Sequence, residues 1–440
     1  MSRTASVVGT APKGRFPNPD IADARKDGTK STVTLYTQIV RNGREMAADL
    51  WRDGKGWVLL AVGAGWFLSI GVRYIYPSIL PFLREAFAMD LTTAGFLLSA
   101  LWLAYALGQF PGGVLGDRYG EGNILVVSTA ISTVALVTVV LSFSVWTVFA
   151  ATVAFGFATG LYGPHRFTIF TDIYSKRAGT AVGFTMAAGS VGNTILPAIA
   201  VAIAGYASWR LGFGVLIPLF VLVCLSIYRF VPKRTSESTG DTDTLSRETF
   251  RRLATAVVGG GIPLVVGIHI VTAFVSNGFL GFYPTYLIEV KGFSPQMAAL
   301  LYGSYFALGV GIQPMTGMLR DRFGSKWSLM LVSGMFFLGL VALQFAISLV
   351  HIVVLTILLS HRNGLGVITN TFIADSLDDE IKGSGLGLLR TSWILTGATS
   401  PIFVGILGDL GQLEFAFLVL AGIAGVATLM TLFVPRKRPP

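Results

Sequence analysis

Four arginines lie within long apolar stretches of this 440-residue chain, and no aspartate or glutamate lies deep in any of these stretches. They are Arg73, Arg166, Arg362 and Arg390. A guanidinium presents a planar fork of donors that binds carboxylate or phosphate through two parallel hydrogen bonds. Because a charge in an apolar stretch is costly, it usually faces a cavity or a partner. The four residues therefore predict a cavity that attracts an anion.

The positions of the four arginines predict different roles. Arg73 and Arg362 lie nearest to the middle of their stretches and are the predicted substrate-binding charges. Two alternatives stay open, because Arg73 could extend its stem to the membrane surface and Arg362 could hold an interhelical hydrogen bond. Arg166 and Arg390 lie closer to the cytoplasmic ends and are predicted to act in gating, with a cavity position equally open for Arg390.

Neutral polar side chains accompany the charges. Hydroxyl and amide groups can orient a carboxylate without adding charge, and the candidates are Tyr74, Tyr76, Asn277, Tyr283 and Asn370. Histidine changes charge near neutral pH, so His269 and His361 are predicted to carry a coupling proton. The alternative is that each is a neutral histidine held by a hydrogen bond. The single Cys224 excludes an intrachain disulfide, and no metal or cofactor is predicted.

Composition and hydropathy identify the elements that carry these residues. Hydrophobic residues make up 53% of the chain and charged residues 13%, with a mean hydropathy of +0.68. These values exceed those of a soluble domain. We predict an all-α membrane protein with twelve transmembrane helices, because twelve runs have roughly the twenty apolar residues that a bilayer requires. The runs are 57–79, 92–114, 123–143, 145–168, 179–203, 210–231, 262–287, 295–316, 327–347, 350–373, 384–407 and 413–434.

A repeated motif divides these helices into two related halves. The sequence Gly-x-x-x-Asp-Arg-x-Gly occurs at 113–120 and again at 317–324, an offset of 204 residues. At the same offset Gln109 matches Gln313 and Pro197 matches Pro401. The halves are therefore homologous, and two pseudo-symmetric six-helix bundles are predicted.

These bundles imply a division of the chain into five segments. We predict a basic cytoplasmic tail at 1–56, a first bundle at 57–231, a cytoplasmic linker at 232–261, a second bundle at 262–434 and a short cytoplasmic tail at 435–440. Within the first tail, residues 33–51 form either a surface helix or part of a disordered segment.

The distribution of basic residues predicts the orientation. Most of the 33 Lys and Arg residues fall on the cytoplasmic side if both termini are cytoplasmic. The net charge of +10 then reflects topology and attraction to anionic lipid, and no nucleic-acid partner is predicted. The expected location is the inner or plasma membrane, as a multi-pass protein.

The duplicated motif, between the second and third helices of each half, resembles the signature loop of the major facilitator superfamily. This resemblance implies two bundles that rock around a central cavity lined by helices 1, 4, 7 and 10, in a monomer. It also implies that Asp117, Arg118, Asp321 and Arg322 act in gating. The sequence around Arg73 is similar to the anion:cation symporter and organophosphate-exchanger branches, in which an arginine of helix 1 contacts the substrate.

These observations predict a secondary transporter for a small organic anion, such as a carboxylate or phosphate ester. Proton or cation coupling and exchange are equally open. The alternatives are a proton-coupled efflux carrier for drugs or apolar metabolites and a membrane sensor without transport activity. An enzyme is not predicted, because the sequence shows no nucleophile–base pair, phosphate-binding glycine loop or metal cluster.

Overall fold

The computed structural model describes residues 50–235, 261–377 and 379–435, and within these ranges long apolar helices dominate. The helices follow the chain in the order α1 Lys55–Phe87, α2 Leu91–Tyr119, α3 Glu121–Val140, α4 Val145–Ile173, α5 Ala178–Tyr206, α6 Trp209–Phe230, α7 Ile262–Glu289, α8 and α9 within Pro295–Gln344, α10 Leu349–Ala374, α11 Gly385–Asp409 and α12 Leu413–Phe433.

One glycine separates α8 from α9 in the 50-residue stretch Pro295–Gln344. Gly324 has φ 79° and ψ 166°, a conformation that is not helical and that residues with a side chain rarely adopt. Its counterpart in the first half, Gly120, has φ 91° and separates α2 from α3. Counted on either side of these glycines, the described ranges contain twelve apolar helices, six in each half. The predicted all-α membrane fold is confirmed.

Polar side chains cap several of the helices at their N-termini. Asp90 accepts a hydrogen bond from the backbone N–H of Thr93 at 2.7 Å, which satisfies a donor in the first turn of α2. Ser144, Ser294 and Ser348 cap α4, α8 and α10 in the same way. Capping matters in a membrane protein, because a backbone group that lacks a partner cannot bond to lipid.

Glycines let the helices of each half approach closely. A Cβ atom on Gly108 of α2 would lie 2.3 Å from the carbonyl oxygen of Phe157 on α4. A Cβ atom on Gly192 of α5 would lie 2.4 Å from the carbonyl oxygen of Phe67 on α1. Small residues at such crossings allow backbones to pack directly against each other. The glycine content therefore serves the packing within each bundle.

The two halves meet at the end of the molecule where α1 and α7 end and α2 begins, which we call the closed end. Asp409, at the end of α11, accepts hydrogen bonds from the backbone N–H groups of Leu91 and Thr92, both at 2.7 Å. Arg84 of α1 forms an ion pair with Glu289 of α7. The opposite end carries Gly120 and Gly324, and we call it the motif end.

The predicted division into five segments stays a prediction, because its tails and linker lie largely outside the described residues. Residues 1–49, 236–260 and 436–440 lie outside them, and so do nearly all of the predicted surface helix at 33–51 and most of the predicted linker and C-terminal tail. The start of the linker is described. The backbone oxygen of Lys233 accepts a hydrogen bond from the N–H of Gly122 at 3.1 Å, so this segment packs against the first motif loop.

Candidate functional site

A cavity of about 520 Å³ lies between the two halves. Its walls come from α1, α2, α4 and α5 of the first half and from α7, α8, α10 and α11 of the second. Helices 1, 4, 7 and 10, which the sequence predicted as lining helices, all contribute. The predicted residues that line it are Tyr74, Arg166, His269, Asn277, Arg362, Asn370 and Arg390.

Arg362 lies on a 3₁₀ turn, His361–Gly364, that interrupts α10. The turn is held by the Asn363 side-chain amide, which donates to the carbonyl oxygens of Tyr305 at 3.2 Å and Ser360 at 2.9 Å. The Nε of Arg362 donates to the carbonyl oxygen of Thr272 on α7 at 3.3 Å. Arg362 therefore agrees with both alternatives of the sequence analysis, because it lines the cavity and also forms an interhelical hydrogen bond. A 3₁₀ stretch inside a helix often marks a hinge.

Arg166 is buried in the wall of the cavity on α4. Its side chain is 1% exposed, and its guanidinium carbon lies 3.3 Å from the ring centre of Trp66. Its Nε and Nη1 have no hydrogen-bond partner among the described residues. The sequence predicted a gating role for Arg166, which stays a prediction, and the structure places the residue in the cavity wall. Arg390 on α11 also lines the cavity.

Arg73 does not line the cavity. Its side chain is 1% exposed, and its guanidinium carbon lies 3.8 Å from the ring centre of Tyr105 and 5.2 Å from that of Trp102. This position rules out the alternative in which the stem extends to the membrane surface. Because Trp102 itself lines the cavity, Arg73 lies one layer behind the wall. Two of its nitrogens, Nε and Nη1, have no hydrogen-bond partner in the described part of the chain.

Two of the predicted tyrosines do not reach the cavity, which corrects the sequence prediction. Tyr76 is fully buried within the first half and accepts a hydrogen bond from the Thr152 hydroxyl at 3.2 Å. Tyr283 is fully buried within the second half, where its hydroxyl is 2.8 Å from that of Thr356. Residues two positions apart on a helix lie about 200° apart around its axis, so Tyr76 points away from the cavity that Tyr74 lines.

The two predicted coupling histidines differ in position. His269 lines the cavity, where its Nδ1 is 2.6 Å from the Thr369 hydroxyl and its ring centre is 4.1 Å from that of Trp393. His361 does not line it, and its Nδ1 lies 3.0 Å from the carbonyl oxygen of Ile357. The geometry therefore gives only His269 direct access to a bound molecule. Its role in coupling stays a prediction.

Aromatic side chains line much of the cavity, and the sequence analysis missed them. They are Trp102, Phe167, Tyr305, Phe306 and Trp393. Tyr74 of the first half packs against Phe306 of the second, with 4.5 Å between ring centres. Because both residues line the cavity, this contact joins the two halves at the cavity wall. Aromatic residues in apolar stretches resemble lipid-facing ones, so only the structure identifies them as cavity residues.

The gating residues that the duplicated motif predicted lie at the motif end, away from the cavity. Asp117, Arg118, Asp321 and Arg322 are exposed at the ends of α2 and α8. In the second motif Arg320 pairs with Asp375 at the end of α10 and with Asp321 at 3.4 Å. In the first motif Arg234 of the linker donates to the carbonyl oxygens of Asp117 at 3.1 Å and Arg118 at 2.8 Å. The sequence analysis missed Arg234 and Arg320.

The charges around the cavity are one-sided. Three arginines line it, and no aspartate or glutamate does so among the described residues. Asn277, Asn363 and Asn370 add amide groups that can donate or accept hydrogen bonds. The cavity can therefore bind an anion through guanidinium groups and orient its uncharged part by amides and aromatic rings.

Comparisons with known proteins agree with this geometry. The model of the Major Facilitator Superfamily matches residues 62–368 and 265–440. A hexuronate transporter of Bacillus subtilis is 25% identical over 82% of this chain and 91% of its own length. A probable sulfoacetate transporter of Cupriavidus necator is 24% identical over 80% and 87%.

A solved structure supports the fold. The crystal structure of a bacterial homologue of the human lysosomal transporter Spinster, in an inward-facing and occupied conformation, superposes with a TM-score of 0.72. It is 16% identical in sequence and covers 86% of this chain and 96% of its own.

Proposed function

Since the chain belongs to the major facilitator superfamily, and is therefore a multi-pass membrane transporter and not an enzyme, we propose that it carries a small organic anion. The anion binds in the 520 Å³ cavity between the two halves. The observation that carries this proposal is the set of Arg166, Arg362 and Arg390 in a cavity wall that includes no carboxylate among the described residues.

The relatives support the same chemistry. A hexuronate is a carboxylate, and sulfoacetate carries a carboxylate and a sulfonate. Both are small, water-soluble anions that need charge compensation in a membrane-embedded cavity. Three guanidinium groups supply that compensation here, and their forked donors suit both carboxylate and sulfonate.

Alternating access is the mechanism that we propose for transport. The contacts of Asp409 with Leu91 and Thr92 and of Arg84 with Glu289 hold the closed end shut. The cavity residues Arg390 and Asn370 lie near the motif-end termini of their helices. With both termini cytoplasmic, as the basic residues predict, this arrangement corresponds to a cytoplasm-facing state. Transport requires the closed-end contacts to break and the motif ends to approach each other.

A thermal-shift screen of purified protein tests the proposed substrate class. The panel contains carboxylates, phosphate esters, sulfonates and cationic drugs, measured with the wild type and with Arg362→Gln. A ligand of the folded state raises the apparent melting temperature by mass action. Arg229→Gln is the matched control, because Arg229 is exposed at the end of α6, away from the cavity.

We expect organic anions to stabilise the wild type and the Arg229→Gln control but not Arg362→Gln. Stabilisation by cationic drugs that is equal in all three proteins would contradict the proposal and favour an efflux carrier.

A further inference from the structure

The cationic groups of the site form two separate clusters. The first contains Arg73 and Arg166 of the first half, which both lie over the ring of Trp66. The second is formed by Arg362 of the second half, and Arg390 of that half also lines the cavity. A single anionic group can lie beside only one of these clusters, so the number of clusters bears on the charge of the occupant.

The first cluster has hydrogen-bonding capacity that the described residues leave unused. Arg73 and Arg166 are each 1% exposed, and in each the Nε and Nη1 atoms have no partner among the described residues. Both guanidiniums lie over the ring of Trp66, at 5.4 and 3.3 Å. A buried guanidinium with unpaired donors is costly. Only Arg166 of this pair lines the cavity, so an anion there can approach its guanidinium, whereas its Nε and Nη1 atoms are themselves buried.

The second cluster belongs to the other half of the molecule. Arg362 uses its Nε for the carbonyl oxygen of Thr272, which fixes the guanidinium at the cavity wall. His269 lies close enough to interact electrostatically with Arg362 and offers a further hydrogen-bonding group. Tyr74, which follows Arg73 on α1, lines the cavity and packs against Phe306 of the second half, with 4.5 Å between ring centres.

We propose that the preferred substrate is a dianion whose two anionic groups bind to opposite halves, one to Arg166 on α4 and the other to Arg362 on α10. This inference rests on the proposed function and specifies the substrate class of the same cavity. A monoanion at Arg362 leaves the buried charge of Arg166 without a counter-charge, whereas a dianion places one anionic group beside each of these two arginines. Because the two groups engage different halves, the dianion also links the halves that must move against each other.

Isothermal titration of the purified full-length protein tests the inference with pairs of ligands that differ by one charge. The ligands are unbranched dicarboxylates from malonate to suberate, terephthalate and sulfoacetate, each compared with its carboxyl monomethyl ester. The proteins are the wild type, Arg166→Gln, Arg362→Gln and the Arg229→Gln control. Arg166→Lys is added, because it keeps the charge and removes the fork.

We expect at least one dianion to bind the wild type about tenfold or more tightly than its ester, since hydrogen bonds to charged groups are the strong ones. Arg166→Gln should bind the dianion and its ester with equal affinity, Arg166→Lys should keep part of the preference, and Arg362→Gln should bind neither ligand. Arg229→Gln should match the wild type. An optimum at one chain length would report the separation of the two anion positions.

Two results would overturn the inference and leave the proposed function intact. The first is equal affinity for dianion and ester in the wild type, with both lost in Arg362→Gln, which identifies a carrier of monoanions. The second is a dianion preference that survives in Arg166→Gln, which excludes a bridge between the halves. If no anion of the panel binds the wild type, the proposed function fails together with the inference.

Discussion

Substitution of Asp409 by alanine should open the closed end. Asp409 belongs to the second half, yet its carboxylate accepts two backbone hydrogen bonds from the first turn of α2, at 2.7 Å each. In this position it acts as an N-terminal cap supplied across the interface between the halves. The contact exists only while α2 and α11 meet at this end. Removing it should therefore favour the state in which they separate.

The structure sets the size of the effect. Asp409 is exposed, so its two hydrogen bonds are weaker than buried charged ones. Loss of a helix cap costs about 0.5–2 kcal/mol, and loss of a negative charge at a helix N-terminus adds about 0.3–1 kcal/mol. A combined loss of about 1–2 kcal/mol would shift the equilibrium between the two states by a factor of about 5–30.

Electron–electron distance measurements between two spin labels can detect this shift. The chain has a single cysteine, Cys224, which is first replaced by serine. Labels are then attached to cysteines introduced at Ala207 in the first half and Gln412 in the second, both exposed in loops at the closed end. Asp409→Ala should add a population with a longer distance between the labels.

Asp90→Ala provides the matched control. Asp90 caps the same helix from within its own half, through the N–H of Thr93 at 2.7 Å. Its loss should lower the melting temperature without changing the distance between the labels. If Asp409→Ala and Asp90→Ala give the same distance distribution as the wild type, the carboxylate of Asp409 does not hold the closed end shut and our reasoning is refuted.

Three further predictions concern packing, ion pairing and pH. Gly108→Ala places a Cβ atom 2.3 Å from a facing carbonyl oxygen of α4 and should lower the free energy of unfolding by about 1–3 kcal/mol. Gly113→Ala, with open space around it, should be neutral or stabilising. Unfolding of both variants in detergent measures the difference. A double-mutant cycle with Arg320→Gln and Asp375→Asn should give a coupling energy of only about 0.2–1 kcal/mol, because both side chains are partly exposed, and a larger value would indicate a buried pair. Hydrogen bonds from a threonine in the first turn of α2 hold the pKa of Asp90 below its usual value. The contribution of Asp90 to stability is therefore present above the usual aspartate pKa and is lost as the pH falls through the lower folded-state pKa. In an acid titration of the melting temperature, the wild type should approach Asp90→Ala, and a constant difference between the two proteins would contradict this.

The fold could be predicted from the sequence because few structures are possible in a membrane. A bilayer accepts only structures that satisfy their own backbone hydrogen bonds, so an apolar run of about twenty residues almost dictates a helix. The duplicated motif also located the boundary between the second and third helices of each half. Gly120 and Gly324 occupy the same place in each copy, and both adopt a positive φ between two helices. Here sequence repetition and backbone geometry lead to the same conclusion.

The faces of the helices could not be predicted in the same way. In a soluble protein the apolar side of a helix marks the core, but lipid is as apolar as the interior of a bundle. Tyr74 and Tyr76 therefore looked equivalent, although only Tyr74 lines the cavity. For the same reason the sequence did not identify Trp102 and Trp393 as cavity residues. It predicted Arg73 as a substrate-binding residue, although Arg73 does not line the cavity.

Charged residues were located more reliably than neutral ones, because their cost in an apolar span restricts where they can lie. Arg166, Arg362 and Arg390 all line the cavity. Arg73 is the exception, and the rings of Tyr105 and Trp102 explain it, since aromatic faces can hold a guanidinium away from water.

The most direct test of the central claim is the flux of an organic anion into proteoliposomes that contain the purified protein. The radiolabelled anion is the one that stabilises the wild type most strongly, and the proteins are the wild type, Arg362→Gln and Arg229→Gln. We predict saturable uptake by the wild type and by Arg229→Gln, and no uptake above empty vesicles by Arg362→Gln. Uptake that is equal in all three proteins, or no uptake by the wild type, would contradict the account.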